Sequence, residues 1–205
     1  MSKFKMIKPD IGILHVDSLS SELFEPFVNS VKKEQLSIII QDRPGNTPYA
    51  CPEWFIPAAV VAFVGKSYFD GFLKEMGKDH FYILKNHLSE LTNKLMSKPR
   101  IEPIMMGTKG KLSTNNPFSN GLSIQSETND GYALKLLLPK ADGNTDYSMH
   151  IHHFMMFLSD YHNGIRDLSS IGSPDERSAI QGGFVFVHYN EESQQIEWVD
   201  MFKYQ

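Results

Sequence analysis

Histidines are the residues of this chain best suited to chemistry, because eight of them are unevenly spread over 205 residues. His150, His152 and His153 fall at the start of a predicted helix, where His150 and His153 would lie one turn apart. Such a pair could contact one metal ion, but a metal site also needs a third ligand and a supporting shell. A pair on one helix without a recognised motif indicates little, so we expect no metal ion and no other cofactor.

The same predicted helix has an unusual outer face. Its core stripe consists of large apolar and aromatic side chains: Tyr147, Ile151, Phe154, Leu158 and Tyr161. The far side carries Met149, His152, His153 and Met156, where lysine and glutamate are usual on a solvated helix. Methionine is favoured at adaptable contact surfaces. We therefore predict that these four residues form an interface, covered by another layer of this protein or by a protein partner.

A second candidate site follows the β-branched run from Leu36 to Ile40. Asp42 and Arg43 come directly after this run, and α/β proteins place ligands beyond the carboxyl ends of their strands. Arg43, oriented by Asp42, could hold a carboxylate or a phosphate with two hydrogen bonds, joined by His80 or His87. A turn with a local ion pair is the alternative. The ligand-binding hypothesis names Asp42, Arg43 and His80.

No motif identifies a reaction. Cys51 has no neighbouring base that would make it a nucleophile. Gly65, Lys66 and Ser67 resemble the end of a phosphate-binding loop, but the preceding glycines are missing. The sequence contains no GxSxG, HExxH, paired CxxC or dinucleotide fingerprint. The catalytic residues, if there are any, are unknown from the sequence.

Composition excludes several classes of protein. The chain has 20 basic and 24 acidic residues, and no basic run exceeds two residues. We therefore do not expect a nucleic-acid partner. A single cysteine and an N-terminus without an apolar signal region favour a cytoplasmic protein. The hydrophobic share of 41% is that of an ordinary folded domain.

The apolar run from Trp54 to Val64 raises the question of a membrane. It is shorter than the roughly 20 residues of a spanning helix, and extending it to Leu73 would include Lys66 and Asp70. The run therefore predicts a buried core helix that continues to about Met76, and a membrane partner is not expected. A membrane-active helix over residues 54–73 is the alternative.

The remaining elements follow from apolar spacing and from turn residues. Strands are predicted at 11–16, 36–40, 101–106, 122–126, 132–138, 183–189 and 195–201, and further helices at 17–33, 79–96 and 146–161. The first forty residues read as a βαβ unit or as a hairpin-like pair of strands bridged by one helix. Residues 129–131, Asn-Asp-Gly, predict a hairpin turn.

This order predicts an α+β fold with mixed or antiparallel sheets and packed helices. Residues 1–98 would form a helical N-terminal half, a βαβ-αα subdomain. Residues 99–205 would form a β-rich subdomain with one long helix. A single merged core is the alternative to this division.

The first functional hypothesis is a non-enzymatic binding or regulatory protein that acts through contact with a protein partner or with a second copy of itself. The absence of motifs and the predicted Met/His face favour this hypothesis. The alternatives are a small enzyme with an active site near the loop at residues 42–52, and the membrane-active protein described above.

Overall fold

A single sheet of eight strands organises the chain. The computed structural model describes residues 9–45, 53–72, 78–97, 115–140, 145–173 and 179–204. The strands are β1 (Ile11–Val16), β2 (Ile38–Arg43), β3 (Val60–Val64), β4 (Phe118–Glu127), β5 (Ala133–Pro139), β6 (Ile180–Gln181), β7 (Phe184–Asn190) and β8 (Gln195–Trp198). The main helices are α1 (Glu25–Lys33), α2 (Lys78–Met96) and α3 (Tyr147–His162).

The strand order is β2-β1-β3-β4-β5-β7, with β6 and β8 both paired to the outer edge of β7. Three neighbouring pairs are parallel: β1 with β2, β3 with β4, and β5 with β7. Parallel neighbours need a crossover connection, and α1, α2 and α3 supply one each. The other neighbouring strands are antiparallel.

The main core lies between the sheet and these helices. Alternate strand residues point towards the helices, and those at the centre of the sheet have almost no exposed surface: Ile13, Ala62, Ile124 and Leu136. On the helical side α2 lies against both α1 and α3. The deepest helical side chains include Leu84, Leu88 and Phe154. One continuous core therefore extends across the sheet.

A smaller apolar cluster covers part of the opposite face. Its buried members are Trp54, Phe118, Leu137, Phe186, Val199 and Met201. The aliphatic chain of Lys135 crosses this face, and its Nζ donates a hydrogen bond of 2.9 Å to the carbonyl oxygen of Trp54. Such a bond compensates for burying the ammonium group among aromatic rings.

The predicted helix that begins at Trp54 is wrong, and with it the helical N-terminal half. Residues Glu53–Phe55 form a 3-10 turn, β3 follows, and Tyr68–Phe72 form a π-helical turn. β3 is central and covered on both faces, so its sequence is continuously apolar and shows no alternation. Periodicity alone does not separate such a strand from a buried helix, whereas the valines of β3 favour the strand. Within the described ranges no helix is long and apolar enough to cross a bilayer.

Other predicted elements are confirmed. β1, α1 and β2 form the βαβ unit, β4 and β5 form the hairpin, and α2 covers the predicted range. Asp146 caps α3 by accepting the Ser148 N–H. The strand predicted at 101–106 lies outside the described residues, as does the proposed boundary at 98. β3 and β4, on either side of that boundary, are paired strands of the same sheet, and the division into subdomains stays a prediction.

Candidate functional site: the β2–α1 groove

A cavity of about 740 Å³ opens between edge strand β2 and helix α1. We call it the β2–α1 groove. It is lined by His15, Asp17, Leu19, Ser21, Glu25, Val28, Asn29, Lys32, Ile40 and Asp42. The four helical members are spaced by three, one and three residues, so they form one face of α1. The groove runs along α1, and one end of it reaches the carboxyl ends of β1 and β2, where ligands bind in open α/β sheets.

β2 borders this groove, and its outer side pairs with no strand in the described part of the chain. The Ile11 N–H donates to the Ser37 carbonyl at 3.0 Å, and the Asp17 N–H donates to the Arg43 carbonyl at 2.8 Å. In a parallel pair, alternate residues of one strand face the partner strand. Residues 39, 41 and 43 therefore bond to β1, and the backbone groups of residues 38, 40 and 42 point away from it.

We call the outward N–H and C=O groups of Ile38, Ile40 and Asp42 the open edge. No strand within the described residues pairs with it. The register with β1 runs without a bulge, and the three isoleucines at the start of β2 supply none of the charges or prolines that usually protect an edge. Ile39 is 45% exposed on the opposite face. The isoleucine half of this edge, which precedes the polar residues 41–43, is suited to receiving another strand.

His15 forms part of the floor of the groove. Its side chain is only 4% exposed, and its ring stacks on Phe24 with centroids 4.7 Å apart. The Nδ1 atom lies 2.9 Å from the Val16 carbonyl oxygen. A carbonyl oxygen only accepts, so Nδ1 carries the proton and Nε2 of the neutral ring is an acceptor. Nε2 has no hydrogen-bond partner among the described residues.

The charges around the groove are unbalanced. Asp17, Glu25 and Asp42 supply three carboxylates, and Lys32 supplies one ammonium group. Asp17 accepts the Gly45 N–H at 3.1 Å and so ties the loop after β2 to the end of β1. Glu25 and Asp42 make no ion pair or hydrogen bond within the part of the chain that is described. The groove is therefore suited to a cationic group.

Of the ligand-binding residues predicted from sequence, only Asp42 lines the groove. Arg43 is directed elsewhere, because successive strand residues point to opposite faces. Its Nη2 donates to the Pro57 carbonyl at 3.0 Å and to the Ala58 carbonyl at 2.8 Å. The guanidinium thus holds the segment that leads into β3.

His80 lies at the other end of α1. Its Nδ1 is 2.8 Å from a carboxylate oxygen of Glu34, the residue after the last turn of α1. The nine residues of α1 span about 14 Å, so His80 is not in the groove with Asp42. His87 lines a separate cavity of about 260 Å³ between α1 and α2. Arg43 and His80 therefore do not converge at one site. The hypothesis that the chain is an enzyme stays a prediction.

The predicted interface on α3 is partly covered. Met149 and Met156 are 43% and 38% exposed, but His152 and His153 are half-buried. The Nδ1 of His152 lies 2.8 Å from the Lys85 Nζ of α2, and the ring of His153 stacks on Tyr189 at 4.4 Å. Burial lowers the pKa of both histidines, and for His152 the charge of Lys85 adds to the effect. This interface stays a prediction.

The remaining member of the histidine cluster is buried. His150 is 2% exposed, its ring contacts Tyr189 edge-on at 5.3 Å, and its Nε2 is 3.6 Å from a carboxylate oxygen of Glu191. Desolvation lowers the pKa of His150, although Glu191 opposes the shift. Among the residues the structure describes, no group of three or more histidine, cysteine or acidic side chains could hold a metal ion. Cys51 lies outside those residues.

The protein-family models, the curated proteins and the solved structures compared with this chain contain no match to it. Function is therefore inferred from the geometry and chemistry of the groove alone.

Proposed function

We propose that this chain is a non-enzymatic binding protein that takes up an extended segment of a partner protein as an additional strand on β2. The observation that supports the proposal is the open edge of β2 running beside a groove of about 740 Å³. In strand addition, backbone hydrogen bonds provide affinity and pockets beside the edge provide specificity. Both elements occur together on β2 and α1.

The size and lining of the groove also fit this function. Ligand pockets commonly measure about 300 to 1,000 Å³ and combine apolar walls with a few polar groups. Leu19, Val28 and Ile40 supply the apolar part of the lining. The side chain of Ile40 faces the groove, and its backbone belongs to the open edge. A strand added there would hydrogen-bond to the edge and pack alternate side chains against α1.

Amide hydrogen exchange tests the proposal on the free protein first. The outward amides of Ile38, Ile40 and Asp42 should exchange rapidly, whereas those of Ile39, Gln41 and Arg43 should be protected by bonding to β1. Peptides of about ten residues, longer than the six of β2, are then selected from a random displayed library. A bound peptide should protect the outward amides as well. Outward amides that are already protected in the free monomer would overturn the proposal.

Ile40→Pro tests the same edge by mutation. Proline removes the outward N–H of residue 40 and leaves the ladder bonds of residues 39 and 41 available. Affinity for the selected peptide should fall by about tenfold or more, the effect of a lost hydrogen bond and a blocked edge. Ile40→Ala is the matched control, because it loses the same side-chain contacts with the core and the groove but keeps the N–H. Ile40→Pro should therefore bind the peptide more weakly than Ile40→Ala.

Light scattering identifies the remaining outcome. A monomer that binds peptide supports the proposal. The protein could instead be a dimer that dissociates in the Ile40→Pro variant but not in the Ile40→Ala variant. A second copy of the chain would then occupy the edge. The proposed partner would then be wrong.

A further inference from the structure

We infer that the β2–α1 groove selects a lysine or arginine side chain of the bound segment, held by Asp42, Glu25 and the Nε2 atom of His15. This inference rests on the proposed function, since the side chain is carried into the groove by a strand added to β2. These three residues line the end of the groove where β1 and β2 end and α1 begins.

His15 gives the strongest support. The residue is 4% exposed, its ring stacks on Phe24, and the hydrogen bond from Nδ1 to the Val16 carbonyl orients the ring. With Nδ1 donating to Val16, the Nε2 atom of the neutral tautomer has a lone pair and no partner among the described residues. An unpaired acceptor in a cavity wall is suited to an N–H donor. Ammonium and guanidinium groups are donors only.

The carboxylates add charge complementarity. Asp42 of β2 lies beside His15 of β1, because the two residues are register partners. Glu25 stands in the first turn of α1, whose axis runs back along the strands, so this carboxylate is at the same end of the groove. Neither carboxylate is paired with a cation in the described structure. A cationic side chain would satisfy both.

Lys32 does not neutralise this end. It is seven residues beyond Glu25 on α1, about 10 Å along the helix axis. Over that distance an exposed ammonium is largely screened by salt at physiological ionic strength. The groove is thus acidic at the His15 end, which favours a basic side chain over an acidic or phosphorylated one.

Small probes test this subsite separately from strand addition. Nα-acetyl-arginine amide and Nα-acetyl-lysine amide are titrated into ¹⁵N-labelled protein, with Nα-acetyl-norleucine amide as the uncharged control. The cationic probes should shift the Nε2 resonance of His15 and the amide of Asp42, and the norleucine probe should not. Equal responses to charged and uncharged probes would overturn the subsite.

Matched variants give the expected magnitudes. Asp42→Asn and Glu25→Gln should each weaken binding of the arginine probe by about threefold to fivefold, as for partly exposed ion pairs. Glu192→Gln removes the same charge from the β7–β8 turn and should change binding by less than twofold. His15→Phe keeps the stacking on Phe24 but removes the acceptor, and should also weaken binding. An unchanged affinity in Asp42→Asn and Glu25→Gln would contradict the inference.

The two proposals fail in different ways. If a selected peptide protects the open edge but binds equally well after its basic residues are replaced by norleucine, strand addition stands and the subsite is wrong. If the arginine probe binds at His15 but no peptide protects the open edge, the subsite stands and strand addition is wrong.

Discussion

Neighbouring residues on β2 have opposite surroundings. Asp42 lines the groove beside α1, whereas the guanidinium of Arg43 reaches the carbonyl oxygens of Pro57 and Ala58 on the other side. The position of Asp42 could be predicted from the sequence, because it comes at the end of a β-branched run that forms a strand. The role of Arg43 could not, because its partners are 14 and 15 residues away in a segment that reads as helix.

Removing the guanidinium should therefore affect stability. We expect Arg43→Met to lower the free energy of unfolding by about 2 kcal/mol, because two carbonyl oxygens lose a charged donor. Arg43→Lys should recover part of that loss. Asp42→Asn, at an exposed position, should change stability by less than about 0.5 kcal/mol. Urea unfolding measures all three, and an Arg43→Met protein as stable as the wild type would contradict this role.

His150 makes the stability of the fold depend on pH. Burial lowers its pKa below the value of 6.5 that an unperturbed histidine has. In the unfolded chain His150 therefore takes up a proton near pH 6.5, while the folded protein keeps the neutral ring to lower pH. Between the lowered pKa of folded His150 and pH 6.5, the unfolded state binds more protons than the folded state. The contribution of His150 to the free energy of unfolding is therefore fully present above pH 6.5 and is lost as the pH falls below it.

We expect His150→Phe to reduce the loss of stability on acidification from about pH 8 to about pH 5.5, the interval in which histidine titrates. Phenylalanine keeps the edge-on contact with Tyr189 and cannot be protonated. Denaturant unfolding at each pH gives the comparison. The values at pH 8, where His150 is neutral in both states, correct for any change in packing. Equal acid sensitivity in the two proteins would exclude His150 as a source.

At the scale of elements, amphipathic helices and hairpins were predictable, and the central strand was not. The alternation between leucine and polar residues marks α2, and the Asn-Asp-Gly turn marks the β4–β5 hairpin. β3 has no alternation, because both of its faces are covered. The role of His15 was not predicted, because His15 lies within β1 and only the pairing of β1 with β2 brings it beside Asp42.

The exposed face of α3 gives a prediction at this scale. The double change Met149→Lys and Met156→Lys should alter stability by less than about 0.5 kcal/mol, because both side chains are exposed. It should also leave peptide binding at the β2–α1 groove unchanged. Phe154→Ala on the inner face should cost about 3 to 5 kcal/mol. A loss of peptide binding in the double variant would link α3 to the groove and contradict the separation of these two surfaces.

At the scale of the whole molecule, the sheet joins residues from both sides of position 98. Ile124 of β4 is fully buried and lies in register between Ala62 of β3 and Leu136 of β5. A side chain at this position contributes to the packing of strands that the sequence assigned to different subdomains. Changes there should be felt by the whole sheet, because close-packed interiors transmit such changes.

The two tryptophans allow this to be measured. Trp54 precedes β3, but its ring contacts Phe118 of β4 and Phe186 of β7, so it reports on contact between residues on the two sides of position 98. Trp198 ends β8 and lies wholly within residues 99–205. Fluorescence of the Trp198→Phe variant therefore reports on Trp54, and that of Trp54→Phe reports on Trp198. We expect urea transitions that follow a single two-state unfolding in both variants. Adding Ile124→Ala should lower stability by about 2 to 5 kcal/mol in each, with equal loss at both probes. Different urea midpoints at the two tryptophans, or an effect of Ile124→Ala on only one of them, would mean that residues 1–98 and 99–205 unfold independently. The open edge would then belong to a subdomain with its own stability.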